Sequence, residues 1–209
     1  MMDLFEALKW RYAVKKFSRE VLPNEEVREL LKLARLSASS YGLQPYRLLL
    51  VKDEALRSQL LPNSFNQEQV VESSHLIVFA VPTDIGDHIV DQYITQHASK
   101  TRQTSSKLAN FSEHMKGALR VKSNQQRQEW AIQQAYIALG NLLTCAAMMK
   151  IDTCPMTGID PHAYDEVLGL KERGLTTAFI CPIGRRDPDD VKMLQPKIRK
   201  SFIDLVEEI

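Results

Sequence analysis

The apolar positions of this chain change period as it proceeds, and the changes mark its elements. Val27, Leu30, Leu31 and Ala34 recur at the i, i+3, i+4, i+7 spacing of one helix face. Pro23 precedes that helix, Asn24 is its candidate N-cap, and Glu25 and Glu26 suit the positive end of the helix dipole. Phe5 to Lys9 predicts a shorter helix before it, and Ser37 to Gly42 has the composition of a loop. Tyr46 to Val51 and His75 to Val81 read as strands. The second is apolar without alternation, which predicts burial on both faces.

Further on, Ile89 to Leu119 is polar and weakly amphipathic, which predicts one helix or two with a mobile stretch around Thr101 to Ser106. Arg127 to Met149 carries the strongest helical pattern, and its half from Ala135 onward is apolar nearly all round, the mark of a central buried helix. Leu175 to Ile183, ended by Gly184, predicts a third buried strand. The tail from Val191 to Ile209 mixes cations with Phe202, Ile203, Leu205 and Val206, so it must dock on its own domain or on a partner subunit. With no repeat and no Pro/Ser-rich linker, the residues predict one α/β domain over positions 1–209.

Composition narrows the partners. A net charge of +1 provides no global field for nucleic acid or an acidic membrane, so any anion site must be local. The start, Met1-Met2-Asp3-Leu4-Phe5-Glu6, lacks the cationic and apolar regions of a signal peptide, and no apolar run reaches the roughly 20 residues of a membrane span. Cys145, Cys154 and Cys181 form no CxxC pair, which points to a reducing cytoplasm. The five histidines show no metal-ligand spacing.

Two basic clusters stand out against this neutral background: Arg11 and Lys15 near the start, Lys197 and Arg199 near the end. Neither GxGxxG nor GxxxxGK[ST] is present, so a bound phosphate would have to be held by side chains rather than by glycine amides. Arginine and lysine suit that task because charge-assisted hydrogen bonds are about twice as strong as neutral ones. Taken singly, each cluster also fits an ordinary solvated surface or a charge-protected edge strand.

Several segments in order resemble the FMN-dependent nitroreductases, especially the group of oxygen-insensitive NAD(P)H nitroreductases and dihydropteridine reductases. They are Ala7 to Lys15, Ser39 to Pro45, Ser74-His75 entering a strand, Asn141 in the central helix, Pro155-Met156-Thr157-Gly158, Gly169 to Glu172, and Pro196 to Arg199. The resemblance implies an α+β sandwich, a mostly antiparallel sheet flanked by helices, in an intertwined homodimer whose C-terminal tail reaches the partner. It implies FMN as cofactor, NADH or NADPH as electron donor, and ping-pong hydride transfer to nitroaromatics, quinones or related small acceptors.

Carried over by position, Arg11, Lys197 and Arg199 are similar to the family's phosphate clamp, with Tyr12 and Ala13 beside them. Lys15 is similar to the cation near flavin N1 and O2, and Asn66 to the asparagine at the pyrimidine edge, with Gln69 close by. Pro155, Met156, Thr157 and Gly158 correspond to the segment along the isoalloxazine, with a backbone N–H toward N5. Ala38, Ser39, Ser40 and Gly42 correspond to the loop that reaches the FMN of the other subunit. No amino acid is implied as an acid or base, since the flavin carries the chemistry. The chain departs from the family where Ala13 replaces a serine, Gly42 an asparagine, Gln69 a lysine and Thr157 a glutamate, changes that bear on substrate choice. Other chemistries of the same fold (ene reduction, dehydrogenation, dehalogenation) and a non-catalytic FMN-binding dimer are the alternatives.

Overall fold

In the computed structural model, which describes residues 3–209, four strands form one antiparallel sheet in the order β1 (Arg47–Val51), β2 (His75–Pro82), β4 (Leu175–Gly184), β3 (Asp152–Thr153). Met1 and Met2, where the acidic start begins, lie outside the described residues. β2 is central, and seven of its eight residues, His75 to Val81, are buried, as the unbroken apolar run requires. Its side chains divide by parity. Ile77, Phe79 and Val81 face one layer, Leu76 and Val78 the other. The fold is therefore the antiparallel α+β sandwich that the resemblance implied, rather than a parallel α/β domain.

The first layer is α7 (Asn124–Met148) with α2 (Asn24–Ala34). Ala131, Ala135, Ala138, Leu142 and Ala146 make a thin side of α7, and Leu22, Val27, Leu30 and Ala34 pack against it. α7 begins three residues earlier than its apolar pattern because Ser123 and Gln126 form a reciprocal capping box. Its second half is not buried all round. Tyr136 and Ile137 are 44% and 48% exposed, so the helix offers an apolar stripe to the outside. Asn24 is the first helical residue of α2 rather than its cap. The second layer is built by α3 (Glu54–Leu60), α4 (Gln69–Glu72) and α8 (Pro161–Val167), none of which has a strong sequence pattern. α8 is held to β4 by the buried Asp165 carboxylate, which accepts from Thr176 Oγ1, Thr177 N and Thr177 Oγ1 at 2.7–2.8 Å.

The stretch from Ile89 to Leu119 resolves into two helices, α5 (Asp87–Thr101) and α6 (Ala109–Arg120), which close their own small core of Val90, Ile94, Met115 and Leu119. At the chain ends, α1 (Leu4–Trp10) is capped by Asp3, and α9 (Phe202–Leu205) sits in the tail. The tip of the tail does not pack on the rest of its own chain. Phe202, Ile203 and Leu205 are 71–84% exposed.

Candidate functional site

The site grows from the edge of the sheet. After α1 the chain runs along β3, where Ala13 pairs with Thr153 and Val14 N donates to Thr153 O at 3.3 Å. Val14 and Phe17 go inward, leaving Lys15 and Lys16 on the outer side. On the far side of β3 the chain continues beside β4. Cys154 N donates to Pro182 O at 3.0 Å, and Met156 and Ile180 exchange backbone bonds at 2.9 and 3.0 Å. This brings Lys15 Nζ to 3.8 Å from Cys154 Sγ and places Pro155, Met156, Thr157 and Gly158 next in line. The buried Cys154 thiol is held above its usual pKa by burial, with Lys15 opposing.

Asn66 joins from a loop in which Phe65 and Asn66 both adopt left-handed backbone, with φ of 52° and 54°. Gln67 fastens that loop to the segment above, its Nε2 donating to Gly158 O at 3.0 Å and Ser64 O at 3.1 Å. Asn66 is exposed, whereas Gln69, three residues later, is buried at the start of α4.

The tail supplies the remaining cations. Arg11, Lys192, Lys197 and Arg199 line a cavity of about 360 Å³ with Tyr12 and Ala13, and no carboxylate lines it. Lys197 Nζ donates to the carbonyls of Leu8 (2.7 Å), Lys9 (3.0 Å) and Arg11, so it also caps the negative end of α1. Burial lowers the Arg11 guanidinium below its usual pKa, and Arg199 pulls the same way. Burial likewise lowers Lys197, with Arg11, Arg199 and Arg186 adding to the effect. These cations repel one another without a lining counter-charge, and Arg11 Nε is buried with no partner among the described residues. An anion with several acceptor oxygens, such as a phosphate monoester, fits that arrangement.

Sequence reasoning missed the acids that organise this edge. Arg186 makes a forked pair with the buried Asp152, with Nη2 2.6 Å from Oδ1 and Nε 3.1 Å from Oδ2. Its guanidinium lies 4.1 Å from the Trp10 ring centre and 4.6 Å from that of Tyr12. Asp190 accepts from Lys15 N, Lys16 N, Tyr12 Oη and Lys192 N. The only available signal was the Asp187-Pro188-Asp189-Asp190 run after β4, which has no local periodicity.

The loop with Ala38, Ser39, Ser40 and Gly42 is organised elsewhere. Ser40 N donates to the buried Gln134 Oε1 of α7 at 2.8 Å, Gln44 N donates to Ser39 Oγ at 3.0 Å, and Tyr41 Oη is 3.3 Å from His114 Nε2. Gly42 has a φ of +73°, and an added Cβ would stand 3.3 Å from Tyr93. Among the described residues no hydrogen bond links this loop to the cation cavity. Asn141 likewise has a structural task, donating to Leu33 O at 3.2 Å and Ser37 Oγ at 2.9 Å to seat the end of α2.

The fold is thus an antiparallel α+β sandwich with a cation-lined cavity where the two ends of the chain meet. The chain belongs to the nitroreductase family, whose sequence model matches residues 8–185. It is 30% identical to the major NAD(P)H-flavin oxidoreductase of Aliivibrio fischeri, with 94% of each chain covered. It is 27% identical to an oxygen-insensitive NAD(P)H nitroreductase of Enterobacter cloacae, covering 99% of this chain and 100% of that one. Among solved structures, a chain from Exiguobacterium sibiricum in complex with FMN superposes with a TM-score of 0.84 at 20% identity, covering 100% and 98% of the two chains. No helix among the described residues is long and apolar enough to cross a membrane.

Proposed function

We propose that the protein is an FMN-dependent NAD(P)H oxidoreductase that reduces nitroaromatics, quinones or related small acceptors. The observation that carries this reading is the acid-free cation cavity, with its buried and unpartnered Arg11 Nε, adjoining the Lys15 and Pro155–Gly158 edge. Arg11, Lys197 and Arg199 would hold the phosphate, with Tyr12 and Ala13 beside it. Lys15, Asn66, Gln69 and the Pro155, Met156, Thr157 and Gly158 segment would address the ring. Bound there, FMN supplies hydride transfer between nicotinamide and acceptor.

The chain's own residues bind and orient. Lys15 places a positive charge at the ring end of the site, and the Thr157–Gly158 backbone offers an N–H donor without an acid or base. The reading includes a homodimer. Ala38, Ser39, Ser40 and Gly42 would complete the site of the other subunit, and the exposed α7 stripe with the exposed tail would be its contact surface. The three free thiols, Cys145, Cys154 and Cys181, accord with work in a reducing cytoplasm.

The test is an absorbance spectrum of the purified protein, followed by anaerobic addition of NADH and of NADPH. Flavin absorbance that bleaches with one of them and returns with a quinone is the expected result. A protein that stays colourless after FMN is offered overturns the reading. Sedimentation gives the mass of the assembly, expected at twice that of one chain.

A further inference from the structure

Asp190 is 3% exposed and makes no ion pair with a lysine or arginine side chain among the described residues, although the backbones of Lys15, Lys16 and Lys192 lie against it. Its oxygens serve other donors. Oδ2 accepts from Lys15 N at 2.8 Å, Tyr12 Oη at 3.1 Å and Lys16 N at 3.3 Å, and Oδ1 accepts from Lys192 N at 3.0 Å. Burial raises its pKa, but the N–H groups of Lys15, Lys192 and Lys16 and the Tyr12 hydroxyl more than reverse this and leave it below the usual value. One carboxylate thereby joins the two segments that supply the cations. On one side is residues 12–16, which continues directly from Arg11. On the other is the turn at Val191–Leu194, which leads to Lys197 and Arg199.

We propose that Asp190 is a positioning residue for the cofactor's phosphate, setting Arg11 in register against Lys197 and Arg199. The inference rests on the FMN reading above. Only a carboxylate has two oxygens for these four donors; in an amide one oxygen is replaced by an NH₂ that would face N–H groups. The charge of Asp190 alone would act in the opposite direction, since a carboxylate near a phosphate repels it. The sign of the effect in Asp190→Asn therefore separates the roles. Through-space repulsion predicts tighter FMN binding in the variant, whereas loss of registration predicts weaker binding.

The experiment titrates FMN and riboflavin, which lacks the phosphate, into the full-length apoprotein, following flavin fluorescence, and records the melting temperature of each apoprotein. Wild type is expected to prefer FMN. Asp190→Asn is expected to lose about tenfold of that preference, with riboflavin affinity nearly unchanged. Tyr12→Phe, which removes one of the four bonds and leaves the carboxylate, is expected to lose about two- to threefold and decides the matter should Asp190→Asn fail to fold. An unchanged or increased preference for FMN overturns the proposal. So does an equal loss for both flavins together with a lower melting temperature, which marks a purely structural role. Failure of wild type to bind either flavin overturns the FMN reading itself, and this inference with it.

Discussion

Replacing Asp152 with alanine would leave Arg186 without its carboxylate in a setting poor in water. Asp152 is 3% exposed and the Arg186 side chain 17%. The pair is forked, with a further bond of 2.8 Å from Arg186 N to Asp152 Oδ2. Removing one partner of a buried pair costs about 3–5 kcal/mol, because the other charge remains desolvated. Arg186 retains some solvent and the faces of Trp10 and Tyr12, so the lower end, about 3 kcal/mol, is expected. For a chain of this size each kcal/mol lowers the melting temperature by about 2–4 °C, so a drop of about 6–12 °C follows. Differential scanning calorimetry of the apoprotein measures it, with Trp10 fluorescence reporting on the stacked ring. A drop below about 3 °C would refute the argument that this pair fastens the N-terminal segment to the sheet.

Arg199→Ala should weaken FMN binding about tenfold while leaving the fold and assembly mass unchanged, as read by flavin titration, circular dichroism and sedimentation. Gly184→Ala should destabilise by about 1–3 kcal/mol in chemical denaturation, since the new Cβ would lie 2.9 Å from Phe17 Cδ1 and 3.1 Å from Ser74 N. His75 is held below its usual pKa by burial first and by Lys52 and Arg57 after it. A base with a lowered folded pKa takes up its proton more readily in the unfolded chain. Its contribution is therefore complete above about pH 6.5 and lost as pH falls through that value toward the folded one. Unfolding free energies at about pH 7.5 and about pH 5.5 should differ less in His75→Gln than in wild type, and an equal difference would count against this assignment.

Elements with a long, regular pattern were legible in the sequence. β2 declared its burial because both of its faces are covered, and α2 and α7 because their apolar positions repeat. β3 is only two residues long, and α3, α4 and α8 span one or two turns, too short for a period to establish itself. The direction of the sheet was not written in local spacing, since antiparallel pairing of β2 with β4 depends on chain connectivity; the family resemblance supplied it. In the site, the cations were visible because residue type alone recommends them for a phosphate. Their organiser was not, because the Lys15–Asp190 bond joins positions 175 apart and leaves no trace in either neighbourhood. The apolar tail was seen to need a surface, and the fold narrows the choice by leaving Phe202, Ile203 and Leu205 clear of their own subunit.

That tail is fastened at its root, where Lys197 grips the end of α1 and Arg199 stands over the cavity, and it is uncovered at its tip. In the proposed dimer this ties two equilibria together. A partner that covers the tip restrains the root, and a phosphate that holds the root shortens the search of the tip. By reciprocity each event favours the other by the same factor. Cofactor affinity then becomes a function of protein concentration, and dilution alone, with no change in either site, would loosen the flavin.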